Sequence, residues 1–250
     1  MARHIFKHWQ FLPTAFIVLG AVFPGMGPDI AAQTKTNVRK QESPPAASSA
    51  PTGEENKKPP DITRFFYEFT QPQFYVRHIV IEHDATGRGL IKFERLHDEM
   101  IYEEPLELSA AAWTRICGLW TALRFLESGE NYQADKQFPH LGTMRLKMER
   151  DTLKRTAEFN WTNNKAASLL ANEYRRAADQ AILIFDISVA RETQPLATPK
   201  LMDEIELQMK RSGLSDPQQL VPLLNDISTD EHLPLIARNH ALRLIKKLEN

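Results

Sequence analysis

Thr143-Met144-Arg145-Leu146-Lys147-Met148-Glu149, the turn pair Asp151-Thr152, and then Leu153-Lys154-Arg155-Thr156-Ala157-Glu158-Phe159-Asn160-Trp161 form the stretch that decides the fold. Side chains alternate faces along a β-strand. Met144, Leu146 and Met148 share one face, and Arg145, Lys147 and Glu149 the other. Beyond the turn, Ala157, Phe159 and Trp161 continue the apolar face, while Lys154, Thr156, Glu158 and Asn160 continue the polar one. Such a pair of runs predicts an antiparallel hairpin with one face in a core and one in water.

Working outward, the same pattern recurs upstream. Residues 74–83 alternate, with Tyr75, Ile79 and Ile81 on one side, shared near its ends by Arg77 and His83. Asp84-Ala85-Thr86-Gly87-Arg88-Gly89 is a turn with two permissive glycines, and residues 90–96 return as the partner strand with Ile91 and Phe93 inward. Arg64-Phe65-Phe66-Tyr67-Glu68-Phe69 opens this β region, and residues 101–108 add a short edge strand. Ser109 is a fitting N-cap for a helix over 110–126, whose stripe is Trp113, Ile116, Cys117, Trp120, Leu123 and Leu126 and which Ser128-Gly129 stops. A second, longer helix starts at Asn163 or Asn164 and runs to about residue 190, with Leu170, Tyr174, Ala177, Ala181, Ile184 and Ile187 as its stripe. Hairpin, helix, hairpin, helix predicts an α+β fold: an antiparallel sheet of about four to five strands with two helices on one face.

Pro195 and Pro199 mark the next boundary. Helices over 200–211, 218–225 and 231–249 form a helical C-terminal appendage, in which Leu220, Leu223 and Leu224 face Ile236, Ala237, Ala241, Leu244, Ile245 and Leu248. Pro234 falls in the first turn of the last helix, where proline is tolerated.

The other end of the chain carries an address. Arg3 and Lys7 precede an apolar run over 11–23, and Ile30-Ala31-Ala32 supplies small residues before Gln33. This is the layout of a secretory signal peptide. The run is shorter than the roughly 20 residues of a membrane span. Ile30 is not the ideal residue at its place in a cleavage site, which keeps an uncleaved anchor as the alternative. Residues 33–60 are rich in Pro, Ala and Ser and poor in large apolar side chains, as a disordered linker is. The expected organisation is a signal peptide over 1–32, the linker over 33–60, an α+β domain over 61–192 and the appendage over 193–250.

The formal charge of the 250-residue chain is −1, and −2 without residues 1–32. That balance speaks against a general nucleic-acid binder, which shows a net basic field. The single cysteine, Cys117, excludes an internal disulfide, so stability must come from packing. Beside Ile116 and Trp120, it is expected to be a small buried side chain.

Residues 74–183 resemble a family of uncharacterised bacterial exported domains with a ββαββα plan. The matching features are the Asp84-Ala85-Thr86-Gly87-Arg88-Gly89 turn, the Ser109 helix ending Leu123-Arg124-Phe125-Leu126, the Tyr132 and Asp135 loop, and the second hairpin at Asp151. The resemblance implies fold and address, and no activity. Members often carry cysteines before the first strand, and this chain has none there. Leu220-Val221-Pro222-Leu223-Leu224, Asp230 and Ile236-Ala237-Arg238-Asn239-His240-Ala241 are similar to one HEAT-type helical pair, too short for a solenoid.

Two metal constellations fail on spacing. A calcium loop from Asp84 would place Arg88 and Arg95 at ligand positions, where oxygen is required. His78 and His83, five apart in a strand, point to opposite faces, so they do not join His97, Asp98 and Glu99 as a zinc set. The loop over 132–140 is the best candidate ligand site: Tyr132, Asp135, Lys136 and His140 offer a phenol, a carboxylate, an amine and an imidazole. Arg145, Lys147 and Lys154 on the outward face of the second hairpin, with Arg238 in the tail, are candidate partner-binding residues. The resulting expectation is an exported, non-enzymatic binding or scaffolding protein. It has a protein partner outside the cytoplasm, no cofactor, and membrane contact only through an uncleaved signal segment. The alternatives are an extracytoplasmic hydrolase or a binder of small ligands or wall polymer, centred on the 132–140 loop.

Overall fold

The computed structural model describes residues 63–249. The signal segment expected over 1–32 and the linker over 33–60 lie outside the described residues.

Six strands form one antiparallel sheet: β1 (Thr63–Thr70), β2 (Val76–Asp84), β3 (Arg88–Arg95), β4 (Ile101–Glu107), β5 (Thr143–Arg150) and β6 (Leu153–Phe159), in the order β4-β3-β2-β1-β5-β6. The α+β class holds, with more strands than the four to five expected. The added strand is β1, which lies at the centre, paired with β2 on one side and β5 on the other. Phe65, Tyr67 and Phe69 of β1 are buried, while the intervening Phe66 is half-buried on the open face beneath the Lys147 ammonium, 4.1 Å from its ring centroid.

Two helices, α1 (Ala110–Leu123) and α2 (Lys165–Thr193), cover the other face. The Ser109 hydroxyl caps α1 by accepting from the Ala112 amide, and the Asn164 side chain caps α2 by accepting from Ala167. Each cap is worth about 1 kcal/mol. Helix α1 ends earlier than expected. Arg124, not Ser128-Gly129, terminates it in the left-handed conformation (φ 44°), because the chain turns there to bury Phe125 edge-on against Trp120. Its buried stripe is Ala112, Ile116, Trp120 and Leu123. Cys117 lies one helical step beyond Ile116 and is exposed, contrary to the expectation of a buried thiol.

Further inward assignments are corrected. Tyr75 precedes β2 and is 60% exposed, and a register shift between Val76 and His78 turns Arg77 to the open face, where it pairs with Glu94. Trp161 lies past the end of β6 and is exposed.

The C-terminal helices are α3 (Thr198–Lys210), α4 (Val221–Thr229), preceded by a 3-10 turn over Pro217–Leu220, and α5 (Leu235–Glu249). Pro234 stands just before α5 rather than within it, and Ile236 is exposed rather than facing α4. These helices share a second apolar cluster with Leu183 and Ile187 of α2. Polar ties fasten them further. Arg176 donates to the Leu214 carbonyl at 2.7 and 3.0 Å, Arg115 donates to the Ser215 carbonyl at 2.6 Å, and the Asp216 amide donates to the Gln180 side chain at 2.9 Å. No helix among the described residues is long and apolar enough to cross a membrane.

Candidate functional site

The 132–140 loop folds as a plug. Tyr132 is only 2% exposed, stacked on Phe125 and edge-on to Phe159, with the Arg155 guanidinium over its ring. The side-chain amides of Gln133 and Asn160 lace the loop to the end of β6: the Asn160 amide donates to Gln133 Oε1 at 2.9 Å, and the Phe138 amide donates to Asn160 Oδ1 at 3.0 Å. Asp135, Lys136 and His140 are exposed, and the His140 ring meets the Phe138 ring edge-on. No hydrogen bond or ion pair joins Asp135, Lys136 and His140 to one another among the described residues. An acid–base centre requires such convergence, and the burial of Tyr132 removes it from the ligand set expected from sequence.

The open face of the sheet gathers Arg145, Lys147 and Lys154, and each already has a carboxylate. Arg145 bridges Glu68 at 2.6 Å and Glu158 at 2.8 Å, and Lys147 and Lys154 clamp Glu149 at 2.8 and 2.9 Å. Hydrogen bonds from the two lysines pull the Glu149 carboxyl down to about 2. His78 sits on this face between Glu68 and Glu94. Arg238 is elsewhere, on α5, where it donates to the Ser228 carbonyl at 3.4 Å. These cations satisfy their own sheet and tail, so an acidic partner would have to displace internal pairs.

Behind the sheet, His83 is buried on the face opposite His78. Its Nδ1 lies 2.8 Å from the Asp84 carbonyl and its Nε2 2.7 Å from the Tyr174 hydroxyl, which also accepts from the Trp120 indole at 2.9 Å. These partners assign a neutral ring: Nδ1–H donates to Asp84, and Nε2 accepts from Tyr174. Burial holds the His83 pKa below its ordinary value. The chain is closed on itself and is structural.

The concave feature with unsatisfied chemistry lies at the sheet's edge. A groove of about 440 Å³ runs between β4, α2 and the 215–219 turn of the tail. Leu106, Ala181, Ile184 and Phe185 give it an apolar floor. Glu104 on β4 and Glu192 on α2 stand in its walls, and neither has an ion-pair or hydrogen-bond partner among the described residues. Ser215, 5% exposed, is also among the lining residues, and its buried hydroxyl has no hydrogen-bond partner among the described residues.

The edge itself is partly open. In an antiparallel strand the N–H and C=O of one residue point the same way, and alternate residues point alternately. The Glu107 carbonyl faces the tail, where it accepts from Gln219 at 3.1 Å, and Pro105 has no N–H to give β3. Glu103, in the same phase, therefore turns both its N–H and its C=O outward. Sequence reasoning missed this groove. Its one local signal was a proline inside a strand, which marks an edge.

Among the described residues, no three His, Cys, Asp or Glu side chains group as metal ligands would. No protein-family model matches the chain.

Proposed function

We propose that this chain is an exported, non-enzymatic binding protein that engages a protein partner outside the cytoplasm through the groove between β4 and α2. The observation carrying this reading is an apolar groove whose wall carboxylates, Glu104 and Glu192, have no ion-pair or hydrogen-bond partner among the described residues. The export half rests on the layout of residues 1–32. Kinship with exported ββαββα domains is part of the same proposal, supported by the order hairpin, helix, hairpin, helix within 74–183. The hydrolase, small-ligand and wall-polymer readings have less support, since Tyr132 plugs the core.

The test is photo-crosslinking in the producing cell. A photoreactive residue replaces Ser188, exposed on the groove's lip, or Thr156, exposed on the open face of the sheet. The expected result is a discrete protein adduct from Ser188, recovered in the fraction released when the outer envelope is opened. An adduct only from Thr156 would move the interface to the sheet face. No adduct at either position, or recovery only from the cytoplasm, would overturn the proposal.

A further inference from the structure

We infer that the groove takes a short, extended peptide that alternates basic and apolar side chains. This rests on the reading of the groove as the partner surface and names the occupant. Charge is the first argument. The lining residues include three carboxylates, Glu104, Glu107 and Glu192, and no Lys, Arg or His. Glu107 is held by Arg88, which leaves Glu104 and Glu192 to complement a cation. A lysine or arginine beside the half-buried Glu104 gains more than it does in open water, and the exposed Glu192 adds a smaller attraction.

Shape and backbone supply the rest. From Gln180 to Glu192, α2 rises about 18 Å, at about 1.5 Å per residue. That length matches five or six extended residues at roughly 3.3 Å each. Leu106, Ile184 and Phe185 receive alternate apolar side chains, and at the strand edge beside the groove the outward N–H and C=O of Glu103 supply one rung of strand pairing. Pro105, which has no N–H, and the Gln219 contact to Glu107 limit further pairing on the tail side of Glu103, so the edge there holds only a short segment.

The experiment is hydrogen exchange on the full chain, with two peptides of about seven residues: one alternating lysine and valine, the other glutamate and valine. The lysine peptide is expected to slow amide exchange in β4 and in the second half of α2. Its affinity should fall about tenfold in a Glu104→Gln/Glu192→Gln double variant, as expected for losing one or two charge-assisted contacts. Protection should also disappear in about 1 M salt, where the screening length is about 3 Å. A melting curve of the double variant that matches the unaltered chain shows that the fold is kept. Equal protection by the glutamate peptide, or none by either, overturns the inference. The Ser188 adduct separates the two levels. If it forms while the lysine peptide gives no protection, the groove reading stands and the occupant class is wrong; if both are missing, both fail.

Discussion

Tyr174 holds the two halves of the core together through one oxygen. Its hydroxyl accepts from Trp120 on α1 and donates to His83 on β2, and its ring stacks on Tyr67 of β1. Burial drives its pKa far above the ordinary phenol value, so it stays a neutral donor throughout the accessible pH range. Tyr174→Phe would leave the indole N–H and the imidazole nitrogen unpaired in the interior. At about 1–2 kcal/mol for each orphaned group, a loss of about 2–4 kcal/mol is expected in urea unfolding, with the slope unchanged. His83 adds a pH dependence. Its folded pKa lies below the 6.5 of the free side chain because burial opposes the charged ring. The unfolded chain therefore binds more protons between those two values, and stability rises with pH there. The His83 contribution is complete above about 6.5 and declines as pH falls from 6.5 toward the folded pKa. Subtracting the stability-versus-pH curve of His83→Phe should isolate that decline; a flat difference would show that the ring titrates normally.

At the scale of elements, helix α1 gives a direct check on packing. Gly118 sits mid-helix and exposed, and a Cβ there meets nothing within 4 Å. Gly118→Ala should stabilise the chain by about 0.5–1 kcal/mol, since only backbone freedom is lost; a thermal melt shifted downward would contradict the position of that face. Gly89 is the opposite case, because a Cβ would lie 1.8 Å from the Glu82 carbonyl oxygen. The alternation around Met144 to Met148 was legible because one face is wet and the other dry, and local periodicity carries that contrast. The central place of β1 was not, because Phe65-Phe66-Tyr67 is apolar in both phases, with Phe66 sheltered by Lys147. The end of α1 was hidden for a related reason: Phe125 continues the helical pattern, yet it is buried by leaving the helix. Beyond Pro105, which marks the strand edge, the groove had no local signal. Glu104 and Glu192 come from an edge strand and a helix end that meet only when α2 packs on β4, and Ser215 joins them only through the docking of the tail.

That docking sets the behaviour of the whole molecule. Helices α3 to α5 share their apolar cluster with Leu183 and Ile187 on α2, the same helix whose first half covers the sheet. Their turn also satisfies Arg115, Arg176 and Gln180. A chain ending at Ala197 would expose Leu183 and Ile187, at about 1.5–3 kcal/mol each, and would take one carbonyl acceptor from each of Arg115 and Arg176, which keep Glu173. The sum approaches the roughly 5–15 kcal/mol that holds a typical domain together. The full chain should therefore unfold in a single transition, with the shortened one melting at lower temperature and binding a hydrophobic dye before it melts. An unchanged midpoint would make the tail an independent appendage. The shortened chain would also lack Ser215 and Gln219, which line the groove, so lost partner capture in it would confound a damaged fold with a missing interface. Point changes at Glu104 and Glu192, on a chain whose melting is unchanged, keep those two effects apart.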